Sequence, residues 1–178
     1  MAGSHVAQTT RQLAVLRAEH RITGVELDVP AVLNATNPGR VVAEAARQAA
    51  DALSRSDVLL YTSRAVELGS TAEDSLSVGR TISAALASVV RQVVSGSAGG
   101  PAWIVAKGGI TAHDVAVHGL GMRRAEVAGQ LFPGMISVFR PLDAAQAIGV
   151  PYVVFPGNVG DDATLAQVVR IMNAAGGR

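Results

Sequence analysis

A chain of 178 residues has room for one domain, and 49% hydrophobic against 16% charged residues, at a mean hydropathy of +0.32, excludes a disordered polymer. A formal charge of +1, from 15 basic and 14 acidic side chains with no basic run, leaves no electrostatic footprint for nucleic acid. The absence of cysteine excludes disulfides and thiolate chemistry and suits the cytoplasm, and no signal peptide or membrane span is visible.

In chain order, the first predicted helix covers Gln8 to Ala18, and a weak strand follows at Val25 to Val29. An Ala-rich helix covers Pro38 to Leu53, with proline in its first turn, and a stronger strand covers Asp57 to Thr62. The next helix starts at Ser70, where Ser70 and Glu73 have the spacing of a capping box. Val78, Ile82, Leu86, Val89 and Val93 mark its apolar face. The Gly/Ser/Pro stretch Ser95 to Pro101 stops it. Further strands are predicted at Ala102 to Ala106, Ile136 to Phe139 and Tyr152 to Phe155. A last helix follows Asp161-Asp162, with Leu165, Val168, Val169 and Met172 at helical spacing. The strand runs are apolar on both faces and aromatics are only 3%, a mixture suited to an α/β fold: three layers, a mostly parallel sheet with helices on both faces.

Three places share one plan, an extended run, then a loop of small residues, then a helix start. They are Gly3-Ser4-His5, Lys107-Gly108-Gly109-Ile110-Thr111 and Phe155-Pro156-Gly157-Asn158-Val159-Gly160. Thr111 and Asp114 have the spacing of an N-cap and its reciprocal acid. A glycine loop opening a helix leaves backbone N–H groups unpaired, at the positive end of the helix dipole, and so accepts phosphate without Lys or Arg. In a parallel sheet such loops project from one edge and can face one ligand. Each has a plainer alternative: a tight strand–helix turn at Gly108-Gly109, a turn at Gly157-Asn158, an ordinary N-cap at Ser4. Neither familiar nucleotide fingerprint is present. His5, His20, His113 and His118 have no spacing that closes a metal site. Lys107 either reaches a phosphate or, as is usual for a lysine ending a strand, is solvated. Arg123-Arg124 marks a site mouth or an exposed turn, and Asp161-Asp162 binds Mg²⁺ through water or caps the last helix.

The wording of the chain adds a resemblance. Val105 to Thr111 with His118-Gly119-Leu120-Gly121, Gly129 to Gly134, Pro151 to Gly160, and the opening Ala2 to His5 with Thr9 to Gln12 resemble the four-carbon acid sugar kinase family. The resemblance is strongest from Trp103 onward. It implies a Rossmann-like, nucleotide-binding domain over residues 1–178, the C-terminal half of a two-domain enzyme that phosphorylates acids such as threonate or erythronate. By position it implies that Ser4, Gly108, Gly109 and Thr111 contact ATP or ADP, and that Gly157, Asn158, Val159 and Gly160 line its phosphates, with Mg²⁺ accompanying the nucleotide. The family's sugar-acid domain and its aspartate-rich motif, which carries the expected general base, are not in this chain. That leaves an excised domain or a natural half with its partner on another chain, and the start beside Gly3-Ser4 favours the first. Alone, the chain is expected to bind nucleotide and not to turn over substrate. The alternative is a non-catalytic nucleotide-sensing or homo-oligomerising module of the same fold.

Overall fold

The computed structural model describes residues 1–3, 6–63, 71–96, 100–144 and 146–176. Its elements are α1 (Ala7–Glu19), β1 (Ile22–Leu27), α2 (Val29–Asn34), α3 (Pro38–Leu53), β2 (Asp57–Thr62), α4 (Ala72–Ser95), β3 (Ile104–Lys107), α5 (Gly109–Asp114, running on as a π turn at Val115–Gly119), β4 (Ala125–Phe132), β5 (Ile136–Pro141), β6 (Tyr152–Phe155) and α6 (Thr164–Ala175).

β1 pairs with β2 in parallel, and β3 pairs with β6 in parallel. The two pairs meet through Ala2, which bridges in parallel to Tyr61 on one side and to Lys107 on the other. Its N–H donates to Leu60 O at 2.9 Å, its carbonyl accepts from Thr62 N at 3.2 Å, and Met1 O accepts from Lys107 N at 3.0 Å. The order across the sheet is therefore β1, β2, Ala2, β3, β6, β5, β4, with β5 and β4 antiparallel at the far end.

Helices cover both faces. On one, α1 and α6 bury Leu13, Leu16, Leu165, Val168 and Val169 against Leu59, Val105 and Val153. On the other, α2, α3, α4 and α5 bury Val32, Val42, Leu86, Val89 and Ala112 against Val25, Leu27, Leu60 and Ala106. Four alanines of α3 (Ala45, Ala46, Ala49 and Ala52) are buried at helical spacing, and their small side chains let the helix lie close to its neighbours. This is the three-layer α/β fold expected from the alternation of apolar runs and amphipathic segments.

Several boundaries differ from the sequence-based expectation. The first strand ends at Leu27, because Asp28 accepts from Ala31 N at 3.0 Å and caps a short helix whose first turn holds Pro30. The third strand begins at Ile104 and ends on Lys107. β4 is an addition to the expected strands; none of its residues is fully buried and register shifts interrupt it, so no alternation marks it. The cap of α4 is Thr71, which accepts from Asp74 N at 3.1 Å, one residue beyond the predicted pair, while Ser70 lies outside the described residues. The predicted stripe on α4 is buried at Leu86 and Val89, but its first turns are exposed and Leu76 is 54% exposed. Leu86 packs beside Gly3 at the carboxyl edge of the sheet, so the start of α4 stands beyond that edge.

Thr71→Ala removes the cap of α4 and is expected to cost about 1 kcal/mol. Thermal unfolding should show a melting temperature lower by about 2–4 °C.

Candidate functional site

Chain direction points to the middle of this sheet, where the connections leave alternately to the two faces. From residues 1–3 the chain crosses to the α1/α6 face and goes on to β1, whereas from β3 it enters α5 on the opposite face and goes on toward β4. Neighbouring strands whose connections leave to opposite faces open a crevice at their carboxyl ends, where open α/β sheets hold ligands. Gly3, Gly108 and the loop after β6 all border it.

Gly108 has φ 108° and ψ 137°, a conformation closed to residues with a Cβ. Held there, its N–H donates to Phe155 O at 2.8 Å and its carbonyl accepts from Ala112 N at 2.8 Å, so α5 starts directly behind it. Thr111 is therefore not the N-cap of α5 but sits inside it, and Asp114 accepts from Ser83 Oγ instead of reaching back to a cap. Thr111 is 7% exposed and faces Gly3: a Cβ on Gly3 would lie 2.6 Å from Thr111 Oγ1. Only glycine lets the first loop approach the second this closely. The N–H groups of Gly109, Ile110 and Thr111 have no protein partner among the described residues.

Of the two readings of Lys107, a phosphate contact or a solvated strand end, the second does not hold, because the residue is buried. Lys107 is 0% exposed; its Nζ donates to Pro156 O and Gly157 O, each at 2.8 Å, and stands 4.3 Å from the centre of the Phe155 ring. Burial lowers its pKa to about 8. In a trans peptide the N–H points opposite to the carbonyl before it. Carbonyls drawn inward to Lys107 therefore turn the N–H groups of Gly157 and Asn158 outward.

Two glutamines of α1 act on the same loop from the other face. Gln12 Nε2 donates to Val159 O at 3.1 Å and Asp161 O at 2.7 Å, and Gln8 Nε2 donates to Gly160 O. By the same geometry the Gly160 N–H points away from α1. The N–H groups of Gly157, Asn158, Val159 and Gly160 have no protein partner among the described residues. Gly160 itself has φ +78°, and a Cβ there would come within 2.5 Å of Thr164 Oγ1.

The two aspartates behind the loop are engaged structurally. Asp161 Oδ1 accepts from Ala163 N at 3.0 Å and from Thr164 Oγ1 at 2.7 Å, which hold its carboxyl below the usual range. Asp162 pairs with Arg11 at 2.9 Å. Arg123 and Arg124 donate their N–H groups to Asp143, at the end of an open groove of about 440 Å³ that Gly109 and His113 of α5 border. No cluster of three His, Asp or Glu able to hold a metal occurs among the described residues. A more enclosed cavity, of about 90 Å³ and lined by Leu53, Val90 and Trp103, lies at the opposite edge of the sheet from the glycine loops.

Of the sequence-predicted site residues, Gly108, Gly109, Thr111, Gly157, Asn158, Val159 and Gly160 thus gather at one edge, and Ser4 lies outside the described residues. Lys107, Gln8 and Gln12 were missed as structural organisers of the loops. The glutamines carried a signal, since residues four apart share a helix face and Gln12 sits on the side that buries Leu13 and Leu16.

A family model for the nucleotide-binding C-terminal domain matches residues 1–165. The chain belongs to that family. The domain-level resemblance drawn from the glycine loops therefore holds, and nucleotide binding is the property of the family. No curated protein matches the chain. Among solved structures, a Bordetella bronchiseptica protein described as a domain of unknown function (DUF1537), a domain-swapped dimer with bound citrate, is 18% identical with a TM-score of 0.76 over 99% of this chain and 40% of its own. A Haemophilus influenzae protein of the same family description is 17% identical with a TM-score of 0.67 over 94% of this chain and 39% of its own. A Salmonella typhimurium protein, provisionally described as a tRNA synthase, is 18% identical with a TM-score of 0.71 over 96% and 39%. At these identities the likeness is one of fold, and this nucleotide-binding C-terminal domain spans about two-fifths of the length of the proteins it resembles. Among the described residues no helix is long and apolar enough to cross a membrane.

Two neighbouring glycines should respond differently to the same change. Gly108→Ala forces a Cβ into φ 108° and is expected to cost about 1–3 kcal/mol, whereas a Cβ on Gly109 meets nothing within 4 Å. In thermal unfolding, Gly108→Ala should melt several degrees lower and Gly109→Ala should stay near the parent. Gln12→Leu, which leaves two carbonyls of the loop unpaired, should cost about 1–3 kcal/mol in the same measurement.

Proposed function

We propose that the domain binds ATP or ADP, accompanied by Mg²⁺, with the phosphates held by backbone N–H groups of Gly109 to Thr111 and Gly157 to Gly160. The observation that carries this reading is the convergence of glycine loops at one crevice with those N–H groups outward and unpaired. Such groups act as fixed partial positive charges that need no reorganisation when the anion arrives. Ser4 and the Thr111 hydroxyl complete the proposed contact set. The Mg²⁺ enters bound to the nucleotide, because the nearby Asp161 and Asp162 are already engaged.

The domain is further proposed to be the C-terminal nucleotide half of a two-domain kinase acting on a four-carbon sugar acid such as threonate or erythronate. The N-terminal domain would supply the sugar-acid site and the base. Phosphoryl transfer depends mainly on positioning and charge stabilisation, and the loops here suit the donor half of that task. Alone, the domain binds nucleotide without phosphorylating a sugar acid. A second reading, a nucleotide-sensing or self-associating module, is favoured by one feature: Ile110 is 72% exposed in the first turn of α5, and Val127 is 65% exposed on β4.

Thermal unfolding with Mg²⁺ and ADP tests the proposal. At a hundredfold excess over Kd, binding contributes about 2.7 kcal/mol, an expected rise of about 5–10 °C. Gly109→Val should fold like the parent and lose that rise, because its side chain fills the space before the loop N–H groups. No rise at millimolar ADP would refute nucleotide binding by this domain.

A further inference from the structure

Lys107 is an ammonium group with no exposed surface, and no carboxylate pairs with it among the described residues. The charged groups on the elements around it have other occupations. Asp162 pairs with Arg11 of α1, and Asp161 accepts from Ala163 and Thr164. On α5, Asp114 accepts from Ser83, and His113 is exposed. The Met1 amine, which burial lowers to about 5, is neutral above pH 7. Lys107 is thus left with two carbonyl dipoles and the face of one aromatic ring. A buried charge in that state is costly, and an anion brought close to it is attracted across a medium that screens poorly.

We propose that Lys107 is a positioning residue of the phosphate site: from beneath the loop after β6 it holds the Pro156 and Gly157 carbonyls inward, and its charge is balanced when a phosphate settles on the outward N–H groups above. The inference rests on the nucleotide reading given above. It assigns Lys107 no direct contact with the ligand; the residue acts through the loop and through its field.

The two parts of this role have separable consequences. The ammonium, lowered to about 8 by burial in the free protein, is raised when an anion binds. The signs follow from linkage. Nucleotide binds best to the protonated form, so affinity is full below the free pKa and falls as pH rises through it. Binding between the free and bound pKa values takes up a proton from solvent. A lysine that only tied two loops together would hold the carbonyls equally well as a neutral amine, and affinity would not follow its charge.

The test is calorimetric titration of the whole chain with ADP and excess Mg²⁺ at pH 7.0, 8.0, 8.5 and 9.0, in buffers of different ionisation heat. The expected result is net proton uptake that appears near pH 8, with affinity falling by up to about tenfold per pH unit above it. Lys107→Arg, charged throughout this range, should show a flat pH profile. Lys107→Met should bind at least about tenfold more weakly with no proton uptake. The wild-type measurement stands by itself if either variant fails to fold. ADP bound with equal affinity from pH 7.0 to 9.0 and no proton uptake would overturn the role of Lys107 while leaving the nucleotide reading intact. No ADP binding at any pH would overturn both.

Discussion

Two residues of extended chain join the sheet, Ala2 bonding to β2 and Met1 to β3. Ala2 donates to Leu60, accepts from Thr62 and lies parallel to both β2 and β3, strands that otherwise have no bond to each other. Without that segment β1–β2 and β3–β6 share no backbone hydrogen bond among the described residues, and Gly3 has no fixed place. With it, the first loop meets the second across the Gly3–Thr111 contact, and the crevice between diverging connections exists at all. The site depends on the backbone bonds of Met1 and Ala2 before it depends on any side chain.

From that constraint the loops gain their shape by two means. Gly108 and Gly160 take up positive φ, and Gly160 leaves no room for a Cβ against Thr164. The carbonyls of the loop after β6 are then turned inward by three side chains: Lys107 from beneath, and Gln8 and Gln12 from α1. A polar loop turned half inward would ordinarily carry a large desolvation cost. Here each inward carbonyl has a donor, and what remains unpaired faces the crevice. The same bonds that stabilise the loop therefore orient it.

Much of this was legible before the structure. β2, α3 and β6 fall on the predicted residues, because uninterrupted apolar runs and an Ala-rich helical period allow few other placements. The three glycine loops were legible as strand–loop–helix junctions, and the wording around Lys107 to Thr111 pointed to the family. What stayed hidden was tertiary in origin. Thr111 looks like a cap by spacing, but the backbone of Gly108 starts the helix earlier and sends Thr111 toward Gly3. Lys107 looks like a solvated strand end, and only the loop folded over it from β6 reveals acceptors for its ammonium. β4 has no periodic signal, because none of its residues is fully buried and bulges break its register.

The 24 residues of α4 make a rod of about 36 Å, against about 20 Å for the six residues of β2 beside it. The excess is not shared between the two ends, because Leu86 sits level with Gly3 and the turns before it rise past the loops. Among the described residues, α4 thus fences the crevice on one flank. A small anion can reach the loop N–H groups from above, but a body the size of a domain cannot come from every side. One approaching from the α4 flank meets the exposed first turns of the helix, Leu76 among them, before it meets the loops. The fold therefore gives the site a direction of access, set by helix length and not by any residue that touches a ligand.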